Sequence, residues 1–235
     1  MRALVVGGSG GIGAALAMQF CERDDIDQVV VSWHHRRPVI QHQKLAWLAL
    51  DLLDEGSIAT LFGQVGEIDY VINTVGFLHG KGWSPEKTVS KLDTELFMYS
   101  MSINVLPTLL LAKYARSNLA ASERPVFAAL SARVGSITDN HSGGWHSYRC
   151  SKAALNMALK NISIEWRRVL PRCVVAALHP GTTDTPLSKP FQANVAASQL
   201  FSPERAAAHM LNTIDKLTPQ DTGNFWTWDG SKLPW

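Results

Sequence analysis

The glycine-rich stretch near the N-terminus constrains the fold of this chain more than any other feature. Residues 2–6 form a short run of β-formers, the glycine turn of residues 7–13 follows at once, and residues 14–20 read as a helix. Glycine allows a tight turn and close approach of the backbone, and a helix start offers free N–H groups to an anion. The unit therefore predicts a phosphate-binding turn, against the alternative of a plain flexible turn, with the candidate residues Gly7, Ser9, Gly11, Ile12 and Gly13.

Strand and helix patterns alternate along the rest of the chain. Strands are predicted at residues 28–32, 45–50, 68–74, 126–130, 173–178 and 223–228. Helices are predicted at residues 54–65 and 94–117, from 153 to just before Pro171, and from Pro203 onward. Alternation predicts an α/β fold, a doubly wound parallel sheet of about seven strands (a Rossmann fold). Residues 1–235 are expected to form it as a single domain.

Ligands bind such sheets outside the carboxyl ends of the strands, and the loops predicted there carry unusual residues. After the third, fourth and sixth strands these are Asp51, Leu52, Asn73, Gly76, Pro180, Gly181, Thr183 and Thr185. Asp51 is placed to meet an adenine edge. Residues 186–202, which contain Pro, Ser and Gln, are a candidate lid over the site.

The second strand runs into Ser32-Trp33-His34-His35-Arg36-Arg37, a stretch without a carboxylate. At this position of a dinucleotide fold, an acidic residue binds the 2′-hydroxyl of NAD and a basic residue receives the 2′-phosphate of NADP. An arginine can hold a phosphate with two hydrogen bonds. We therefore predict NADP(H) over NAD(H), with His34 and Arg36 as phosphate ligands; a solvated basic loop is the alternative.

Tyr148 and Lys152 are four residues apart at the start of an apolar helical stripe. If the helix already includes Tyr148, the two side chains lie on one face. A phenol with a pKa of about 10 exchanges protons poorly at pH 7, and a nearby ammonium lowers that pKa. The pair therefore predicts a tyrosine acting as general acid or base. The same spacing also arises by chance, as a buried Tyr near a solvated Lys.

Charge and cysteine usage limit the partners. Lys plus Arg number 22 against 20 acidic residues, a net charge of +2, which gives no argument for nucleic acid or a membrane surface. No stretch approaches transmembrane length, and no signal peptide is recognisable, so no membrane partner is expected. Cys21, Cys150 and Cys173 lack metal-ligand spacing, which predicts no metal site and a reduced, cytoplasmic protein. We expect Cys150 to be helix packing.

Together these motifs resemble the short-chain dehydrogenases/reductases. The resemblance is carried, in chain order, by Gly7-x-x-x-Gly11-Ile12-Gly13, Asp51, Asn73-x-x-Gly76, Asn104, the Ser131 region, Tyr148-x-x-x-Lys152 and Pro180-Gly181. Residues 131–137, 226–230 and 78–80 resemble the C-factor-like branch of that family.

The resemblance implies that Tyr148 exchanges a proton with the substrate oxygen. Lys152 would lower the pKa of Tyr148 and bind the nicotinamide ribose. Asn104, in the middle of the predicted 94–117 helix, would hold a water that links Lys152 to solvent. Pro180, Gly181 and the threonines after them would fix the carboxamide end of the cofactor. Asn73 and Gly76 would support the sheet beneath it.

A serine after the fifth strand would hold the substrate carbonyl. In the family's usual frame, counted back from Gly135, this position is Ala132. Ser131 is one residue early and is the first nominee, with Ser136 as the reserve. Residues adjacent on a strand face opposite sides, so this offset matters.

These observations predict an NADP(H)-dependent oxidoreductase acting on a small-molecule carbonyl or alcohol. By analogy with the family, it would be a homodimer or homotetramer paired through its long helices. One rival is an NADP(H)-binding sensor or signalling protein with little or no catalysis, which the Ala132 offset supports. Another is an extended-type epimerase or dehydratase, which the short chain and the glycine spacing oppose.

Overall fold

The apolar runs predicted as strands form one sheet in the computed structural model, which describes residues 1–235. Its eight strands are β1 Arg2–Val6, β2 Gln28–Trp33, β3 Leu45–Ala49, β4 Tyr70–Asn73, β5 Val126–Leu130, β6 Val174–His179, β9 Asn224–Thr227 and β10 Lys232–Leu233. They lie in the order β10-β9-β6-β5-β4-β1-β2-β3, and all pair in parallel except β10 with β9. Two short strands, β7 Thr182–Thr183 and β8 Leu200–Phe201, pair separately.

Six helices cover both faces of the sheet. They are α1 Gly11–Glu22, α2 Glu55–Val65, α3 Thr94–Asn104, α4 Leu106–Leu119, α5 His146–Val169 and α6 Pro203–Lys216. Because successive side chains of a strand point to opposite faces, each strand contributes to two cores. Leu4 and Val6 join α2, α4 and α5, while Ala3 and Val5 join α1 and α6. The α/β doubly wound fold is confirmed.

Two details differ from expectation. The predicted single helix over residues 94–117 is two helices, broken at Val105, so Asn104 ends α3 rather than lying mid-helix. Pro107 lacks the N–H that a continuous helix needs and instead sits in the first turn of α4, where none is required. The sheet has eight strands rather than about seven because the chain turns back after β9 to add antiparallel β10.

Residues 94–119, the α3–α4 pair, are by length and composition apolar enough to cross a membrane, contrary to our expectation that no stretch approached this. Core helices of soluble proteins have the same property, so the signal is weak. Here Leu96, Leu111 and Ala115 are buried, and α3 and α4 both contact α5.

Cys150 is exposed on α5, so the prediction that it packs within the helix was wrong.

The turn after β1 tolerates no side chain at Gly13. A Cβ there would lie 2.4 Å from the Gly7 carbonyl oxygen and 2.7 Å from the Thr74 hydroxyl. We expect Gly13→Ala to lower the free energy of unfolding by about 3 kcal/mol, measured by urea denaturation, because backbone must move. Gly63→Ala is the matched control: Gly63 is exposed on α2, a Cβ there meets no atom within 4 Å, and stability should rise by up to about 1 kcal/mol. Equal stability of Gly13→Ala and the wild type would contradict this account.

Candidate active site

The turn between β1 and α1 is held by backbone hydrogen bonds. Gly7 has a φ of +89°, which favours glycine, and its N–H donates to the Ser32 hydroxyl at 2.9 Å. The Gly10 N–H donates to the Gly7 carbonyl at 3.1 Å. The hydrogen bond to Ser32 therefore fixes the turn to the end of β2, and α1 begins at Gly11, within the glycine-rich stretch.

The first amides of α1 have no acceptor within the chain. Gly10 offers no side-chain cap, the first turn contains no acidic residue, and the N–H groups of Gly11, Ile12 and Gly13 have no hydrogen-bond partner. Unpaired amides and the positive end of the helix dipole favour an anion. Thr185 faces this point, because a Cβ on Gly11 would lie 3.0 Å from its methyl group.

One cavity of about 1000 Å³ runs along the carboxyl edge of the sheet and takes in most of the predicted residues. Those that line it are Gly7, Ser9, Gly11, Ile12, Gly13, His34, Asp51, Leu52, Gly76, Ser131, Tyr148, Lys152, Pro180, Gly181, Thr183 and Thr185. Arg36, Asn73, Asn104 and Ser136 do not line it. A cavity of this size that follows the strand ends and takes in unpaired amides fits a dinucleotide.

At the end of the cavity beside β2 and β3, His34 and Asp51 come together. Their Nε2 and Oδ2 atoms are 3.7 Å apart, and Asp51 also accepts the Leu53 N–H at 2.9 Å. Arg36 is exposed and lies outside the lining. His34 therefore lines the cavity beside Asp51, whereas Arg36 does not line it.

Tyr148 and Lys152 share one face of α5, because the helix begins at His146 and includes both residues. They are only 7% and 3% exposed, and both line the cavity. The Lys152 ammonium donates to the Leu130 carbonyl at 2.9 Å and lies 5.8 Å from the centre of the Tyr148 ring. The pair thus sits at the end of β5, on the same cavity as the free amides of α1.

Asn104 supports this pair from behind the cavity wall. Its Oδ1 accepts the Phe77 N–H at 2.7 Å, and its Nδ2 donates to the Phe77 carbonyl and to the Ser151 hydroxyl, each at 2.9 Å. Ser151 in turn donates to the Tyr148 carbonyl at 2.8 Å. Asn73 is likewise structural in position: it donates to the Thr108 hydroxyl and accepts the Val75 N–H.

Neither nominated serine offers a hydroxyl proton to the cavity. Ser131 is buried and donates to Asn156 Oδ1 on α5 at 2.6 Å. Ser136 accepts the Asp139 N–H at 3.1 Å and lies outside the lining. Ala132 lines the cavity but has no hydroxyl. Ser131 therefore lies at the site, but its hydroxyl proton is already in a hydrogen bond to Asn156.

A family model for short chain dehydrogenases matches residues 1–196. The chain belongs to that family. It is 31% identical over 232 residues to the 1-hydroxy-2-glutathionyl-2-methyl-3-butene dehydrogenase of a Rhodococcus species, covering 99% of this chain and 98% of that protein. It is also 31% identical over 170 residues to the C-signal protein of Myxococcus xanthus, covering 72% of this chain and 94% of that protein. The similarity to the C-factor-like branch is thereby confirmed.

The fold of this short-chain dehydrogenase is also that of solved relatives. The NADPH-bound carbonyl reductase from chicken fatty liver superposes with a TM-score of 0.84 at 23% identity, over 100% of this chain and 98% of that one. This likeness is one of fold.

Burial sets the protonation of the central groups in this short-chain dehydrogenase. It raises the pKa of the Tyr148 phenol above its ordinary range and lowers the pKa of the Lys152 ammonium to about 8. The expected lowering of the Tyr148 pKa by Lys152 is therefore outweighed by burial. At pH 7 the tyrosine is a neutral phenol, and most of the Lys152 side chains carry a charge. Burial, together with the charge of Arg133, also lowers the pKa of His179 to about 4, so His179 is neutral.

Sequence reasoning missed how the mouth of this site is closed. The rings of Trp145 and Tyr148 are 6.3 Å apart, and Phe191 lies 4.8 Å from Trp145 and 5.5 Å from His79. His79 Nε2 lies 3.1 Å from the Leu187 carbonyl oxygen. The sequence shows no sign of these contacts, because aromatic side chains in loops carry no signal of which partners they meet.

Proposed function

We propose that this short-chain dehydrogenase is an NADP(H)-dependent carbonyl reductase or alcohol dehydrogenase. One observation carries the proposal: the buried pair Tyr148 and Lys152 opens onto the same cavity as the unpaired amides of Gly11, Ile12 and Gly13. When bound, NADP(H) supplies the hydride chemistry. The chain provides both an anion site and a proton donor within a single cavity.

In carbonyl reduction the hydride adds to the carbonyl carbon and Tyr148 gives its phenol proton to the oxygen. Burial keeps this phenol protonated at neutral pH, as a general acid requires. The Lys152 ammonium, 5.8 Å from the centre of the Tyr148 ring, would favour the phenolate left behind. Alcohol oxidation is the reverse, with the phenolate accepting the proton.

We propose the following roles for the residues that line or adjoin the cavity. The α1 amides and Thr185 would hold the diphosphate, and His34 and Asp51 the adenosine end. Pro180, Gly181 and Thr183 would hold the nicotinamide end. Asn104 would act through Ser151 on the turn that carries Tyr148. Ser131 would accept a hydrogen bond while donating its own to Asn156.

The names of two relatives fit this carbonyl/alcohol chemistry. The chicken protein is by its name an NADPH-bound carbonyl reductase, and the Rhodococcus protein a dehydrogenase of a glutathione-substituted alcohol. The test is a screen of NADPH oxidation over ketones, aldehydes, quinones and pteridines. If the protein binds NADPH but oxidises it with none of these substrates, it would instead be an NADP(H)-binding sensor. The absence of a hydroxyl at Ala132 supports this second candidate.

We expect NADPH to be preferred over NADH by about 10- to 100-fold in kcat/KM, since charged hydrogen bonds to a phosphate contribute about 1.5–3 kcal/mol. Arg36→Ala should lower kcat/KM for NADPH about tenfold and leave that for NADH unchanged. Arg37→Ala, a neighbouring exposed arginine, is the matched control and should have a smaller effect. Equal or better kinetics with NADH in the wild type would refute the assignment.

We also propose a lid, an oligomeric state and a cellular location for this protein. Residues 186–202, which reach the site through Phe191, would form a lid, and protease cleavage there should slow when NADPH and product are bound.

The exposed apolar side chains of Met98, Leu109 and Met157, on α3, α4 and α5, would pair copies into a dimer or tetramer. Light scattering measures this oligomeric state. A cytoplasmic location would be tested by fractionation.

A further inference from the structure

Glu86 is the chain's one buried carboxylate, only 5% exposed, and the proposed mechanism gives it no role. It lies in the loop between β4 and α3, well before α5 in sequence. A buried carboxylate is costly unless hydrogen bonds satisfy it, so its partners show what it does.

Those partners are all at the start of α5. The Glu86 carboxylate accepts the Ser147 N–H at 3.2 Å through Oε2 and the Ser147 hydroxyl through Oε1. The Glu86 backbone carbonyl accepts the Trp145 N–H at 2.5 Å. No salt bridge involves Glu86, so its charge is met by hydroxyl and amide donors alone.

The start of α5 lacks a local cap. The residue before the helix is Trp145, whose φ of 51° is left-handed and whose side chain makes no capping bond. The first amides of a helix have no acceptor in the helix itself and otherwise fray. Glu86 supplies both the acceptor and a negative charge at the positive end of the helix dipole.

This cap stands one residue before Tyr148. The approach is close: a Cβ on Gly144 would lie 3.2 Å from the Lys87 carbonyl oxygen, so the loop and the turn before α5 are in contact. We propose that Glu86 is a positioning residue, which caps α5 from another loop and so holds the Tyr148 hydroxyl in place against substrate. The same loop carries Phe77 and His79, which line the cavity, so the cap also ties this part of the cavity wall to the catalytic helix.

Charge and hydrogen bonding can be separated with conservative variants. In Glu86→Gln, the amide oxygen can take the Ser147 N–H, and the amide NH₂ can donate to the Ser147 hydroxyl once that hydroxyl rotates. The variant therefore keeps both bonds and loses only the charge. Ser147→Ala removes one partner and leaves the N–H in place.

The experiment compares wild type, Glu86→Ala, Glu86→Gln and Ser147→Ala as full-length chains, using a carbonyl substrate found in the screen. We expect Glu86→Ala to lower kcat about 30- to 100-fold per NADPH-binding site, with the Kd for NADPH within about twofold, because misplacing a reacting group costs about this much. Glu86→Gln should recover kcat to within about fivefold of wild type, and Ser147→Ala should fall between them. Amide exchange over residues 146–151 should speed up in Glu86→Ala and stay near wild type in Glu86→Gln.

The inference rests on the proposed function, and the readouts keep the two apart. If Tyr148→Phe still turns over, the proposed function fails, while amide exchange at α5 still tests the cap. If Tyr148→Phe is inactive but Glu86→Ala keeps kcat within twofold, or exchanges no faster at residues 146–151, the positioning role is refuted. If Glu86→Ala does not fold, a Glu86→Gln variant that folds, binds NADPH and is as inactive as Tyr148→Phe would refute the hydrogen-bonded cap.

Discussion

Tyr148→Phe should lower carbonyl reduction by NADPH about 10³- to 10⁴-fold, the upper range for loss of a general acid, while the Kd for NADPH changes by less than about threefold. The substitution removes only the hydroxyl. The ring keeps its place beside Trp145 at a centroid distance of 6.3 Å, so the buried packing at the start of α5 is retained. Single-turnover NADPH oxidation and fluorescence titration of NADPH measure the two quantities separately.

Ser131→Ala is the informative comparison for this variant. Its hydroxyl proton is committed to Asn156, so its removal should cost turnover less than about tenfold. A loss as large as that of Tyr148→Phe would show that Ser131 contributes directly to the chemistry. Retained turnover in Tyr148→Phe would refute the proposed mechanism itself.

The fold was largely predictable because its elements carry local signals. The strand at residues 126–130 and the helix at 55–65 lie at, or within one residue of, their predicted bounds. Ser202 caps α6 as its type and position indicate, accepting the Arg205 N–H at 3.2 Å. The break at Val105 was not located from the sequence, because Pro107 is expected to interrupt a helix but does not show on which side a new helix starts.

The site was predictable where the backbone alone determines position. Strand ends place Gly11, Asp51 and Gly181 on one edge whatever their side chains do. The direction of the Ser131 hydroxyl was not predictable, since it depends on Asn156, a partner 25 residues away. The start of α5 was open for the same reason: local sequence indicates a helix from Ala153, and the distant Glu86 caps a helix that begins at His146.

Burial also reverses one inference made from spacing. The four-residue spacing predicts a lysine whose charge lowers the pKa of the tyrosine. In the folded chain both groups are buried, and burial disfavours the charged form of each. The pKa of Tyr148 is therefore raised and the pKa of Lys152 is lowered. The pair is better suited to donating a proton from a neutral phenol than to holding a phenolate at rest.

Lys152→Met should lower kcat for carbonyl reduction about 10²- to 10³-fold at pH 7, by removing the charge that stabilises the forming phenolate. Methionine is unbranched and apolar, so the space remains filled. In the wild type, kcat/KM should fall as pH rises above about 8, where Lys152 loses its proton, and the Lys152→Met variant should lack this falling limb. Tyr148 cannot produce the limb, because its own pKa is raised above the ordinary range for tyrosine.

The same variant should be more stable than the wild type at pH 7. The pKa of Lys152 is lower in the folded chain, about 8, than in the unfolded chain, so burying the ammonium costs stability at every pH below 8. That cost is relieved as pH rises from about 8 toward the unfolded pKa. Removing the charge should raise the free energy of unfolding at pH 7 by roughly 2 kcal/mol, after loss of the hydrogen bond to the Leu130 carbonyl is set against it. Urea denaturation measures this difference. An inactive variant that is also less stable than the wild type would point to damaged packing, whereas an inactive and more stable one would mean that the fold keeps a costly buried charge because the reaction needs it.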